Sequence, residues 1–155
     1  MNLADIISPE TVKVPLDATE KREAINELVD LLGAARLIKD TEATKAVVWE
    51  REQQRSTGIG EGLAIPHGKS NCSDRLLIAL GRPASPIDFD SVDRKPVSLI
   101  VLLVSPPDKT ADHIQALGKI SRLMADPDFR EAAYAAGSAG ELYELFKKQE
   151  VAAES

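Results

Sequence analysis

The sequence predicts a single layered α/β domain in which helices cover both faces of a central sheet. Short apolar stretches alternate with amphipathic helical patterns along the chain. One stretch, Val97-Ser-Leu-Ile-Val-Leu-Leu-Val, is apolar almost without interruption, the mark of a strand buried on both faces and therefore covered on both sides. At 155 residues the chain can bury one respectable core but is short for two, and no linker, repeat or low-complexity tract divides it. Residues 1–150 are assigned to the domain and residues 151–155 to a frayed tail.

The elements follow in order. Thr11-Val-Lys-Val-Pro-Leu alternates like a half-buried strand, and Pro15, which has no N–H to donate, confines it to an edge or a strand end. Over residues 20–35, Ile25, Leu28, Val29 and Leu32 fall on one helical stripe, with Gly33 weakening the last turn. A second helix starts at Asp40 or Thr41, either of which can cap it, and runs through Ala43, Ala46, Val47 and Trp49 towards Gln54. Leu63-Ala-Ile and Leu76-Leu-Ile-Ala-Leu read as short strands. After the doubly buried strand, Pro106-Pro107 stops the sheet. Thr110 or Asp112 then starts a helix with Ile114, Leu117, Ile120, Leu123 and Met124 facing inward. Helices over 127–136 and 138–149 close the chain, the second with Ser138 and Glu141 at capping-box spacing and Leu142, Leu145 and Phe146 inward.

Composition excludes several functions. With 19 basic against 25 acidic residues the net charge is -6, which disfavours a grip on nucleic acid and favours a basic partner surface. No apolar run can span a bilayer as a helix. The single cysteine, Cys72, cannot form an internal disulfide, and the N-terminus lacks the pattern of a signal peptide, so a cytoplasmic location is expected.

Chemistry concentrates in Thr57-Gly-Ile-Gly-Glu-Gly62. Glycine at 58, 60 and 62 lets backbone N–H groups approach an oxyanion, although a tight helix-to-strand connection needs the same residues. Two nucleotide motifs fail here. A dinucleotide fingerprint from Gly58 meets Leu63 where a small residue is needed and Pro66 where a helix is needed. A P-loop ending in Gly68-Lys69-Ser70 also meets Leu63, and Asn71-Cys72-Ser73-Asp74 reads as a loop. ATP is therefore not the expected donor.

What remains is His67, after Pro66 at the end of a short apolar strand, a serviceable nucleophile near neutral pH because much of an ordinary imidazole is then neutral. The other histidine, His113, falls in the first turn of a helix, where it can donate to a phosphoryl oxygen or simply cover the stripe above Leu117. Arg51 and Arg55 share a helix face ahead of the glycines. Guanidinium suits phosphate, so at least one can complete an anion site, while Arg55 is better explained by the helix C-terminus. Asp88, Asp90 and Asp93 lack the spacing of a calcium loop and read as turn residues. Cys72 has no zinc-spaced partner, and no metal or other cofactor is expected.

The stretch Ser56-Thr-Gly-Ile-Gly-Glu-Gly-Leu-Ala-Ile-Pro-His67-Gly-Lys resembles the active-site signature of the IIA components of the phosphoenolpyruvate-dependent phosphotransferase system, of the fructose and mannitol type. The likeness extends through Ile87-Asp-Phe, Lys95-Pro-Val and Asp112-His113-Ile-Gln-Ala-Leu, and is greatest to the nitrogen-regulatory branch. It implies a single domain with a mixed, partly parallel sheet. It further implies a phosphoryl group carried on Nε2 of His67, with His113 as second active-site histidine and Arg51 as active-site arginine. The implied donor is phosphohistidine on HPr or the nitrogen-branch homologue of HPr.

Backbone N–H groups over 57–62, including those of Thr57, Gly58 and Gly60, are expected to join Arg51 and His113 in holding the phosphoryl oxygens. Two functions fit. The favoured one is regulation, in which phosphorylation decides which targets the surface grips, such as the potassium transporters or kinases of the nitrogen branch. No fused IIB, IIC or HPr segment is seen, which is in keeping with it. The other is a metabolic relay from His67 to a IIB partner and on to a sugar. An unrelated hydrolase using His67 and His113 lacks an acidic orienter or a metal set.

Overall fold

The computed structural model describes residues 1–154. Its described part contains six helices, α1 (Leu3–Ile6), α2 (Lys21–Ala34), α3 (Thr41–Gln54), α4 (Thr110–Leu123), α5 (Pro127–Tyr134) and α6 (Ala139–Glu154). A 3₁₀ turn spans Pro9–Thr11, and six strands follow as β1 (Val12–Leu16), β2 (Gly58–Gly60), β3 (Leu63–Ala64), β4 (His67–Lys69), β5 (Leu77–Pro83) and β6 (Leu99–Ser105). They form one sheet in the order β1-β5-β6-β3-β2, with β4 also paired to β6. Pairing is mixed: β1 with β5 and β6 with β3 and β4 are parallel, whereas β5 with β6 and β2 with β3 are antiparallel.

Every residue of β6 is buried, and its side chains divide by the two-residue period between two cores. Leu99, Val101 and Leu103 join Ile78 and Leu80 of β5 under α4, α5 and α6, against Ile120, Phe129, Leu142 and Phe146. Ile100, Leu102 and Val104 face the other way, with Leu77 and Ala79, against Ile25, Leu28 and Leu32 of α2 and Val48 of α3. This is the layered arrangement expected from the chain, with β1 and its Pro15 at the sheet edge.

Capping follows the local chemistry. The Asp40 carboxylate accepts from the Ala43 N–H at 3.0 Å and opens α3. At α6 the Ser138 hydroxyl accepts from the Glu141 N–H at 3.1 Å, while the Glu141 carboxylate reaches one residue further back, to the Gly137 N–H at 2.8 Å. The C-terminal helix extends to Glu154, and the part of the anticipated tail formed by Ser155 lies outside the described residues.

The buried face of α3 is Thr44, Val48 and Glu52. Two expectations are corrected. Of the anticipated inward stripe of α4, Ile120, Leu123 and Met124 are buried and Leu117 packs against the same core, but Ile114 is 64% exposed and His113 and Ala116 take inward positions beside them. The glycine segment is also not a plain loop. Strand β2 pairs with β3 in a hairpin, and His67 opens a strand of its own, in register with Leu103.

Candidate active site

The hairpin turn forces Gly60 and Gly62 to φ of 102° and 82°, with Glu61 between them at 57°, a run that side chains resist. Gly58 is needed for another reason. A Cβ there would lie 2.2 Å from the Ser91 hydroxyl and 3.0 Å from the Ser91 backbone. The neighbouring turn is held by Asp93, whose carboxylate accepts from the N–H groups of Glu61 and Lys95 at 2.9 and 3.1 Å, and these bonds hold its pKa below the usual range. Asp88 accepts from the Asp90 N–H at 2.9 Å. The aspartates therefore serve the turns, as their spacing suggests.

His67 follows the buried Pro66 and is half-buried at the start of β4. Its Nδ1 lies 2.8 Å from the Ile65 carbonyl oxygen. A carbonyl only accepts, so Nδ1 carries the proton and Nε2 keeps its lone pair. Burial lowers the pKa of His67 from its ordinary value, and Arg51 lowers it further, against opposing contributions from the Ile65 carbonyl and Glu52. The neutral, nucleophilic form is thereby favoured.

His113 lies on the inward side of α4, with its ring centroid 5.2 Å from that of His67 and the two planes at 69°. Burial, then the neighbouring His67 and Lys69 charges, push its pKa down to about 4, so it is neutral at physiological pH. Its Nδ1 is 2.7 Å from the Ser105 hydroxyl oxygen.

Arg51, His67, Lys69 and His113 line one open cleft, with Ile114 and Leu117 at its rim. An adjoining cleft is bounded by Arg51, Arg55, Ser56, Thr57, Ile59, His67 and Val92. Despite the net negative charge of the chain, these cations make the surroundings of His67 locally positive. One guanidinium N–H of Arg51 donates to the Arg55 carbonyl at 3.2 Å, so Arg51 also tethers the end of α3. Lys69 donates to the Thr110 hydroxyl at 2.9 Å, across to the start of α4.

The glycine-loop donors differ from expectation. Both the N–H and the hydroxyl of Thr57 go to the Glu52 carboxylate, at 2.9 and 2.5 Å, and the Gly58 N–H goes to the Ser56 hydroxyl at 3.0 Å. Neither amide is left pointing at an oxyanion. Glu52 is wholly buried and also pairs with Lys21 of α2 at 2.8 Å, so one carboxylate ties α2, the end of α3 and the start of β2 together. Sequence reasoning missed it. The available signal was its place four and eight residues after Val48 and Thr44 on the buried side of α3. Glu52→Ala removes the only carboxylate paired with Lys21 among the described residues, leaving that ammonium to the Phe89 carbonyl, and takes away the acceptor of both Thr57 donors. It is expected to cost about 3 kcal/mol, the low end for breaking a buried pair from one side, read as a lower urea midpoint. An unchanged midpoint would refute this account of the loop.

Over residues 5–149 the sequence matches the family "Phosphoenolpyruvate-dependent sugar phosphotransferase system, EIIA 2". The chain belongs to that family. It is 36% identical over 146 residues, 94% of each chain, to the nitrogen regulatory protein of Bradyrhizobium diazoefficiens. It is 30% identical over 150 residues to the fructose-specific EIIABC component of Bacillus subtilis, matching 97% of its own length but only 24% of that longer protein. Its fold superposes on the nitrogen regulatory protein IIA-Ntr of Neisseria meningitidis with a TM-score of 0.85 at 28% identity, covering 93% of this chain and 98% of that one. As an EIIA 2 domain the chain is a component of a phosphoryl-transfer system. Among the described residues no helix is long and apolar enough to cross a membrane.

Proposed function

We propose that this EIIA 2 domain is a cytoplasmic phosphocarrier that accepts a phosphoryl group onto Nε2 of His67. The donor is phosphohistidine on HPr or on a nitrogen-branch homologue of HPr. The observation that carries this reading is the hydrogen bond from Nδ1 to the Ile65 carbonyl, which leaves Nε2 unprotonated beside Arg51, Lys69 and His113. As the bond from phosphorus to Nε2 forms, the bond to the donor's imidazole nitrogen breaks. The Nδ1 proton stays against the carbonyl throughout. Little covalent chemistry is asked of the protein, so alignment and charge stabilisation carry the catalysis. Arg51 and His113 hold the phosphoryl oxygens. Thr57 and Gly58, whose N–H groups are occupied, act by shaping the hairpin that Gly60 turns.

Within the family we favour the regulatory role, on the similarity to a nitrogen regulatory protein over 94% of both chains. A dianionic group on His67 changes charge and shape at the centre of an exposed surface, so targets, potassium transporters and kinases among them, can read it. The fructose-specific relative supports the second reading, a metabolic relay to a IIB protein. The two are separated by comparing the phosphorylated and unphosphorylated proteins in pull-downs and by adding the phosphorylated form to IIB proteins. Regulation predicts at least one target whose affinity differs about tenfold or more between the states, a bias of about 1.4 kcal/mol. Equal affinities throughout, with rapid transfer to IIB, would assign the relay instead.

A further inference from the structure

Ser105 ends β6 at a wholly buried position, in register with Lys69 of β4. Its carbonyl accepts from the Ser70 N–H at 2.9 Å. Among the described residues its hydroxyl has one hydrogen-bond partner, Nδ1 of His113, at 2.7 Å. Two arrangements are open to such a pair. If Nδ1 carried the proton and donated to the serine oxygen, the hydroxyl hydrogen would be left buried with no acceptor, a loss of about 1–3 kcal/mol. If the hydroxyl donates to Nδ1, both groups are satisfied and the ring proton sits on Nε2.

We infer that Ser105 is a positioning residue for phosphoryl transfer, donating to Nδ1 of His113 so that this ring is held with its Nε2–H available to a phosphoryl oxygen. The two histidines then have opposite tautomers, each set by a group behind it. The Ile65 carbonyl makes His67 a nucleophile at Nε2, and the Ser105 hydroxyl makes His113 a donor at Nε2. A doubly protonated His113 would also orphan the serine hydrogen, in keeping with the low pKa of this ring. The Lys69 ammonium facing it, and His67 whenever that ring is itself protonated, oppose that protonation too.

The inference rests on the proposed phosphoryl transfer for its catalytic meaning, but its structural half is tested without it. Long-range ¹H–¹⁵N NMR of the imidazole nitrogens of the full chain at neutral pH should show His113 protonated at Nε2 and unprotonated at Nδ1, and His67 the reverse. A His113 protonated at Nδ1 in the parent protein overturns the assignment, whatever its phosphorylation. In Ser105→Ala the His113 Nδ1 signal should move towards the protonated position as the second tautomer gains population. Transfer from phosphorylated HPr should then slow by roughly 3- to 30-fold, a part of the loss seen when such a donor is removed outright. Ser105→Thr, which restores the hydroxyl, should return both signal and rate towards the parent. A Ser105→Ala protein with unchanged tautomer and unchanged rate refutes the positioning role. If the parent accepts no phosphoryl group at all, the proposed function falls and the NMR result still decides the hydrogen bond.

Discussion

His67→Ala is expected to accept no phosphoryl group when phosphoenolpyruvate, enzyme I and HPr or its homologue are supplied, while the parent accepts one, through an acid-labile and alkali-stable bond. The loss should be complete rather than partial. His113, the only other imidazole in the chain, is buried with Nδ1 committed to Ser105, and its Nε2 carries a proton in the arrangement argued above. Its one lone pair, on Nδ1, is turned inward to the Ser105 hydroxyl and cannot replace the nucleophile. Replacing half-buried His67 removes few core contacts, so the circular dichroism of the variant should match the parent. A fully labelled, well-folded His67→Ala protein would remove His67 from the reaction and with it the proposed function.

Much of the fold was legible because its signals are local and periodic. The stripe from Ile25 to Leu32 and the unbroken apolar run into β6 each report burial on their own, and both lie where periodicity puts them. The strands β2 and β4 carry no such signal. Each is three residues long, includes glycine, and is defined by pairing with β3 or β6 rather than by a pattern of its own. The buried polar groups of α3 and α4 were missed, and Ile114 was placed inward, for a related reason. Hydrophobic spacing cannot show that Glu52 is buried because Thr57 and Lys21 neutralise its cost, nor that His113 is buried because Ser105 meets its ring.

The same limit applies to the site. His67, His113 and Arg51 were visible by residue type and position, and the fold brings all three to one cleft. Whether an amide is free to bind an oxyanion depends on what else it meets. Glycine spacing alone could not reveal that Glu52 takes the Thr57 N–H and Ser56 the Gly58 N–H. The part of Lys69 in the positive rim that it forms with Arg51 and Arg55 was not read from the sequence, and a net charge of -6 gives no hint of it, because composition averages over the surface while a site samples one patch.

His113→Ala should still be phosphorylated on His67, but more slowly than the parent by roughly 10- to 1,000-fold, the range for loss of one preorganised donor. The direction follows from the division of labour between the rings. The nucleophile, its tautomer and the Ile65 bond are all intact in this variant, whereas one N–H aimed at the developing charge is gone. The pKa of about 4 adds a second check, because a donor that stays neutral across the physiological range contributes equally across it. The ratio of parent to variant rates should therefore stay constant between pH 6 and pH 8, roughly two or more units above that value. Packing must be separated from chemistry, since His113 also fills the inward face of α4 beside Ala116, and the ring's removal leaves the Ser105 hydroxyl without its acceptor. Thermal unfolding close to that of the parent at the assay temperature is thus a condition of the comparison. A stable His113→Ala protein that transfers at the parent rate would make His113 a packing residue and leave the phosphoryl group to Arg51 and Lys69.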